Sequence, residues 1–339
     1  MRNSPGTAAE NETTAASLLR RTVCVIPTFN ARRHWAPLQK ALQQQGLSPH
    51  QVLIVDSTST DGTSELVKRA GFQLTTIPKN AFRHGATRQF AAELVPHAET
   101  LIYLTQDALP CGENSFQNLL SVFAQPDIGA CYGRQIFRAQ ADPIEQHARL
   151  FNYPDRSEVR SFESRRHMGF RAAFFSNSFA AYRRSALMQV GGFPGNTIVS
   201  EEVTVAARML IAGRKVAYQA DATVIHSHPL RLGQEFSRYF DIGVHHGRES
   251  WLLKEFGSAG GEAKKFLLSE ARYLLEHQPT LLPLATLRNL SKWVSYQLGR
   301  HERLLSQQMK ERLSAQPDYW ADERTFKLAA QSHLVAPSS

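Results

Sequence analysis

Leu101-Ile102-Tyr103-Leu104 is an apolar run of strand length that stops, after Thr105-Gln106, on Asp107. An unbroken apolar strand belongs inside a sheet covered on both faces. In open α/β sheets the ligand crevice lies outside the carboxyl ends of the strands, so a carboxylate delivered there can hold a metal or touch a substrate. Two more segments end alike: Val52-Leu53-Ile54-Val55 runs into Asp56, and Thr22-Val23-Cys24-Val25-Ile26 runs into Pro27-Thr28-Phe29-Asn30. Acidic and turn residues often follow a strand only because the chain turns there. Three such ends within the first 107 residues argue for one shared rim.

Helical spacing fills the gaps. Trp35, Leu38 and Leu42 recur at i, i+3 and i+7 after a candidate cap at Asn30, with Gly46 as terminator. Asp61-Gly62-Thr63 opens a second helix with Leu66, Val67 and Ala70 inward; Phe90, Ala91 and Leu94 form a third stripe, stopped by Pro96. Further on, Phe116, Leu119, Leu120 and Phe123 share a helical face, and Ile128 to Tyr132 reads as a strand. The alternation predicts an α/β fold with a mostly parallel sheet.

A chain of 339 residues, 42% hydrophobic, can bury a full core. No apolar run approaches the roughly 18 residues that span a bilayer. The polar stretch to about Ala16 lacks the apolar core of a signal peptide and reads as a disordered tail. Cys24, Cys111 and Cys131 are odd in number and without metal-ligand spacing, which favours reduced thiols in a cytoplasmic protein. The net charge of +9 invites an anionic partner, but no zinc-finger spacing or aromatic RNP-like strand accompanies it, so nucleic acid is not expected. A dehydrogenase is disfavoured because no G-x-G-x-x-G follows the first strand.

Val25-Ile26-Pro27-Thr28-Phe29-Asn30-Ala31 followed by Val55-Asp56-Ser57-Thr58-Ser59-Thr60-Asp61-Gly62-Thr63 resembles the opening of the family 2 glycosyltransferases. The resemblance continues through Phe82 to Gln89, Leu104-Thr105-Gln106-Asp107, Gly191-Gly192-Phe193-Pro194, Ser200-Glu201-Glu202 and Val224-Ile225-His226-Ser227-His228, covering about residues 20 to 250. Thr105-Gln106-Asp107-Ala108, Ser176 to Arg184 and Arg238 to Val244 look like its bacterial rhamnosyltransferase branch. What this implies is a GT-A type nucleotide-diphospho-sugar transferase fold, a Rossmann-like mixed sheet between helices, with a helical C-terminal region. The implied division is a tail over 1–19, a catalytic domain over 20–250, a helical region over 251–325 and a tail over 326–339.

The same resemblance assigns Pro27, Thr28, Asn30, Asp56, Ser57, Arg88, Gln106 and Asp107 to the sugar donor, implied to be dTDP-L-rhamnose, and Gly191, Gly192 and Phe193 to the acceptor region. Loss of a nucleoside diphosphate calls for a divalent cation, Mg²⁺ or Mn²⁺, with carboxylate ligands. Asp107 is the expected ligand, joined by His226 or His228. Thr105 stands where many relatives carry an aspartate. Arg88 is expected to pair with the diphosphate or with Asp107. An inverting transfer needs one base, and Glu202 occupies the family's base position with Glu201 preceding it. Ser200 reads as the N-cap of their helix, a purely structural use of acids in a first turn.

Beyond residue 250, Leu267, Ala271, Leu274 and Leu275 share one helix face, and Leu281-Leu282-Pro283-Leu284 leads into Arg288, Lys292 and Arg300. Such a ridge suits peripheral contact with the inner face of a cell membrane, where a lipid-linked saccharide acceptor would reside. The competing expectation is a catalytically silent nucleotide-sugar or glycan-binding protein, suggested by Thr105 and Glu202 in place of the usual aspartates.

Overall fold

The computed structural model describes residues 15–226, 230–257 and 260–321. Its strands are β1 (Thr22–Thr28), β2 (Val52–Asp56), β3 (Gln73–Thr76), β4 (Thr100–Leu104), β5 (Leu109–Pro110), β6 (Ile128–Ile136), β7 (Glu158–Arg160), β8 (Phe179–Arg183) and β9 (Lys215–Ile225). They form one sheet in the order β3-β2-β1-β4-β8-β6-β9-β5, with β7 also on β9. The expected parallel pairing holds for β3, β2, β1 and β4. It fails at β8, which runs antiparallel to both β4 and β6. Reversal there brings the start of β8 to the same rim as the carboxyl ends of β1, β2 and β4.

Alternate residues of the central strands feed two cores. Val23, Val25, Leu53, Val55, Leu101 and Tyr103 lie in one, and Cys24, Ile26, Ile54, Ile102 and Leu104 in the other. Helices cover both faces, as the unbroken apolar strands require. They are α1 (Arg32–Gln43), α2 (Thr63–Arg69), α3 (His84–Leu94), α4 (Ser115–Ser121), α5 (Pro143–Asn152) and α6 (Glu201–Ile211). Trp35, Leu38 and Leu42 are buried as their spacing predicts, but Ala31, not Asn30, caps α1. In α3 the buried face is Thr87, Arg88, Ala91 and Ala92, while Leu94 faces solvent.

Residues 15–19, expected as part of a tail, instead form a helical turn that buries Ala15, Leu18 and Leu19 against the second core. Three apolar side chains at helical spacing outweigh the polar composition upstream. Residues 1–14 and the expected tail over 326–339 lie outside the described residues.

Beyond the sheet come α7 (Leu232–Arg248), α8 (Gly260–His277), α9 (Leu282–Arg300) and α10 (Gln307–Leu313). The pair α7 and α9 packs backbone to backbone. A Cβ on Gly243 would stand 2.2 Å from the Tyr296 carbonyl oxygen, and one on Gly299 would stand 2.0 Å from that of Phe240. The segment after α10 folds back to the rim, where Asp241 accepts hydrogen bonds from Ser314 Oγ at 2.6 Å and Ala315 N at 3.0 Å.

Candidate active site

The rim collects the carboxyl ends of β1, β2, β4, β6 and β9, the start of β8 and the N-terminus of α3. At β1 the chain leaves through Pro27, half-buried after the last β1–β4 pair at Val25, so its missing N–H costs no ladder bond. Thr28 Oγ1 donates to Asp56 Oδ1 at 2.9 Å. Asn30, at φ 48°, spans to the neighbouring turn: its N–H donates to Ser59 Oγ and its Oδ1 accepts from Thr60 N. Gln106 clamps the β1 turn to the β4 turn, accepting from Phe29 N at 2.8 Å and donating to Phe29 O at 3.2 Å.

Asp56 is among the residues the resemblance assigns to the donor. It is fully buried, and its oxygens accept from Thr28 Oγ1, Ser59 N, Ser59 Oγ and Ser64 Oγ. Ser57 is buried too, its N–H held by Thr28 O. Both residues hold the turn from within.

Asp107 and His226 meet because β5 pairs antiparallel with the end of β9, with Leu109 opposite Ile225. Asp107 Oδ1 lies 3.4 Å from His226 Nε2. The other ring nitrogen, Nδ1, is 2.9 Å from Gln135 Oε1, and Gln135 Nε2 donates to Ser176 Oγ at 2.9 Å. With its amide nitrogen committed to Ser176, Gln135 offers an acceptor, so Nδ1 carries the hydrogen and Nε2 turns toward the carboxylate. An imidazole lone pair and a carboxylate oxygen facing each other make a two-donor set for a cation, the ring held in place by the Gln135 amide. Among the described residues no third His, Cys, Asp or Glu joins them. Two protein donors, with diphosphate oxygens and waters, fit Mg²⁺ or Mn²⁺, and the imidazole suits Mn²⁺ better. His228 lies outside the described residues.

Arg88 does not reach Asp107. Its Nη1 lies 2.8 Å from Glu201 Oε1, with both side chains nearly inaccessible. Nη1 also donates to His84 O at 3.1 Å, and Tyr103 Oη donates to Arg88 O. Glu201 Oε1 further accepts from Asn177 Nδ2 at 3.0 Å, and Asn177 Oδ1 accepts from Tyr182 Oη at 2.7 Å. Burial works to raise the Glu201 pKa, but Arg88, His84 and the Asn177 amide outweigh it, and the net shift is downward. Glu201 is thus a fixed anion with its partners already chosen.

Glu202 differs. It is half-buried, and desolvation together with the neighbouring Glu201 charge pushes its pKa up to about 8. A carboxylate poised near neutrality is suited to take and release a proton. Ser200, expected as a side-chain cap, adopts φ 62° and makes no such bond; its carbonyl instead accepts from Val203 N and Thr204 N.

Gly191 and Gly192, both at positive φ, end the short helix Arg184–Gln189, their N–H groups donating to Met188 O and Leu187 O. Phe193 is 3% exposed and packs edge-on to Tyr103 and Tyr182. Gln135 and Asn177 went unassigned in the sequence; the sign available was polar side chains at the ends of otherwise apolar strands.

The sheet is half parallel and open at one rim, which bears an Asp–His pair and an acidic helix start, an arrangement compatible with the GT-A type transferase fold. A family model described as Glycosyl transferase family 2 matches residues 23–191. The chain is 39% identical over 297 residues to the O-antigen chain rhamnosyltransferase WbaN of Salmonella anatum, covering 87% of this chain and 94% of that one. It is equally identical to the O-antigen chain rhamnosyltransferase RfbN of Salmonella typhimurium, over 87% of this chain and 95% of that one. A mannosyltransferase from Pyrobaculum calidifontis, solved with GDP-Man and Mn²⁺, shares the fold at TM-score 0.52 and 19% identity, covering 96% and 93% of the two chains. The chain belongs to glycosyltransferase family 2.

Proposed function

We propose that the protein is an inverting, cation-dependent rhamnosyltransferase that moves L-rhamnose from dTDP-L-rhamnose onto a saccharide, or lipid-linked saccharide, of a bacterial surface polysaccharide. The observation that carries this reading is the 39% identity, along nearly the whole length, to two O-antigen chain rhamnosyltransferases. In this reading residues 20–250 bind the donor and perform the transfer, and the helical region over 251–325 serves the acceptor side, in the cytoplasm.

Glu202 is the base. Its carboxylate takes the proton of the acceptor hydroxyl as that oxygen attacks the anomeric carbon from the face opposite the diphosphate. The bond from the anomeric carbon to the diphosphate breaks, and its electron pair leaves with the diphosphate. Asp107 and His226 would hold the cation, which offsets the charge developing on the leaving group. Glu201, fixed by Arg88 and Asn177, raises the basicity of Glu202 and positions the helix start.

Ligand-induced thermal shift tests the donor, with a panel of nucleoside diphosphate sugars measured with and without Mn²⁺. A ligand at 100 times its dissociation constant stabilises by about 2.7 kcal/mol. dTDP-L-rhamnose with Mn²⁺ is expected to give the largest shift. A larger shift with a GDP- or UDP-linked sugar overturns the donor assignment. Donor stabilisation without sugar transfer to any polysaccharide precursor supports the silent binding protein instead.

A further inference from the structure

We infer that the outward face of the α8–α9 hairpin docks on an anionic phospholipid bilayer and sets the rim beside it. This rests on the reading of a membrane-held acceptor and supplies the surface that reading needs.

Leu287, Leu290 and Trp293 are 52, 56 and 60% exposed, and Leu284 and Val294 flank them on α9. Spacing of three and four residues keeps them on one side of the helix. On α8, Leu268 and Leu275 are exposed as well. Isolated exposed leucines are ordinary, but a ridge shared by adjacent helices marks an interaction surface. The opposite side of α9 is committed, since Ala285, Ser295 and Gly299 are buried and Ser295 Oγ donates to Phe236 O of α7. Among the described residues no helix is long and apolar enough to cross a membrane. The geometry is therefore that of a face lying in the interface.

Charge selects the occupant. Arg300 is exposed at the end of α9, while Arg288 and Lys292 turn inward to pair with Glu235 of α7 at 3.7 and 3.4 Å. Lys264 and Arg272 are exposed on α8. A tryptophan amid leucines with flanking cations suits the headgroup level of an anionic bilayer.

The hairpin is also tied to the rim. Arg288 Nη2 donates to Leu230 O at 3.2 Å. On α5, Arg149 Nε donates to His226 O at 2.8 Å, and His147 Nε2 lies 2.9 Å from Ser269 Oγ of α8. A bilayer against α8 and α9 thus sits beside the chain that carries His226, where the sugar end of a lipid-linked acceptor would arrive.

The test is co-sedimentation of the full chain with vesicles of phosphatidylcholine alone and of phosphatidylcholine mixed with phosphatidylglycerol. The protein is expected to pellet with the anionic vesicles and to be released by salt. The triple variant Leu287→Gln, Leu290→Gln, Trp293→Gln should partition about tenfold or more weakly, because binding scales with buried apolar area. Its dTDP-induced thermal shift should be unchanged, which shows that it folds. Lys264→Gln with Arg272→Gln should weaken binding to anionic vesicles alone. Absence of the full chain from the anionic pellet, or equal pelleting by the triple variant, overturns the inference. So does a homodimer, seen by sedimentation equilibrium, that the triple variant dissociates. Because the vesicle measurement reads no sugar transfer, its failure and failure of the donor assignment remain separate results.

Discussion

Ser176 and Asn177 are neighbours in the chain and hold opposite halves of the rim: Ser176 Oγ accepts from Gln135 Nε2 at 2.9 Å, and Asn177 Nδ2 donates to Glu201 Oε1 at 3.0 Å. One half orients the imidazole of His226, and the other fixes the anion beside Glu202. The link is stiff because β8 begins two residues later and is paired on both sides. The two halves are thereby held at one spacing, which in the proposed transfer matters since roughly 1 Å of misplacement can cost about a hundredfold in rate.

The Arg88–Glu201 pair is buried, and its removal should be felt in stability. Arg88→Ala leaves a nearly inaccessible carboxylate without its cation, and breaking a buried pair costs about 3–5 kcal/mol. Arg88→Met combined with Glu201→Gln should cost less than the sum of the single changes. Urea unfolding of the parent, Arg88→Met, Glu201→Gln and the double variant checks this, and additive losses would dissolve the pairing. Binding of dTDP and of thymidine should fall by similar factors in Arg88→Ala. A selective loss of dTDP would return Arg88 to the diphosphate.

The proposed cation pair makes a graded prediction. Asp107→Asn should abolish donor stabilisation by Mn²⁺ while leaving unfolding in the absence of ligand unchanged, since Asp107 stands at the solvent side of the rim with a quarter of its side chain exposed. Gln135→Leu removes only the partner of His226 Nδ1, and loss of such outer-shell contacts typically weakens metal binding about 10–100-fold. Titration of Mn²⁺ in the presence of dTDP reads both. Unaltered Mn²⁺ affinity in the Gln135 variant would mean the imidazole is not a ligand.

β1, β2 and β4 were legible because continuous apolar runs ending in Asn30, Asp56 and Asp107 have few other uses in a sheet covered on both faces. The antiparallel placement of β8 was not, because periodicity carries no strand direction. Arg88 and Glu201 are far apart in sequence, and only the packing of α3 against α6 brings them together. Asp56 shows the limit of motif reading. An aspartate after a strand can face a ligand or cap its own turn, and periodicity does not show that Ser59, within the hydroxyl-rich run Ser57 to Thr60, supplies Asp56 with local donors. In the same way residues 15–19 looked like tail until their three apolar side chains found the core.

Gly85 offers a test of how closely the rim is packed. Alanine favours a helix over glycine by about 1 kcal/mol, so propensity alone predicts that Gly85→Ala stabilises α3. A Cβ at that position, however, would stand 1.9 Å from the Pro194 carbonyl oxygen and 3.3 Å from Glu201 Cβ. Backbone cannot rotate away as a side chain can, and overpacking typically costs about 1–3 kcal/mol. Net destabilisation in thermal unfolding is expected, with turnover falling further than stability because the strain presses on the start of α6. A stabilised Gly85→Ala variant would show that the loop at Pro194 yields freely.

Glu202 gives opposite pH trends for stability and for turnover. Its pKa rises from 4.5 to about 8 in the folded protein, through burial and then the charge of Glu201. The folded state therefore prefers the protonated form. The stability that Glu202 contributes is complete below about 4.5 and is lost as pH rises through about 8. A general base needs the carboxylate, so turnover should climb with pH over the upper part of that window and level off above about 8. Glu202→Gln keeps the shape and removes both effects. Turnover should drop by roughly 10²–10⁴-fold and lose its rise with pH, donor binding should be nearly unchanged, and the variant should be more stable than the parent above pH 8. If the residue served only the helix dipole, the variant would lose about 0.3–1 kcal/mol of stability and keep its turnover. Rate and unfolding profiles between pH 5 and pH 9, taken on parent and variant together, separate the two because their stability changes have opposite sign.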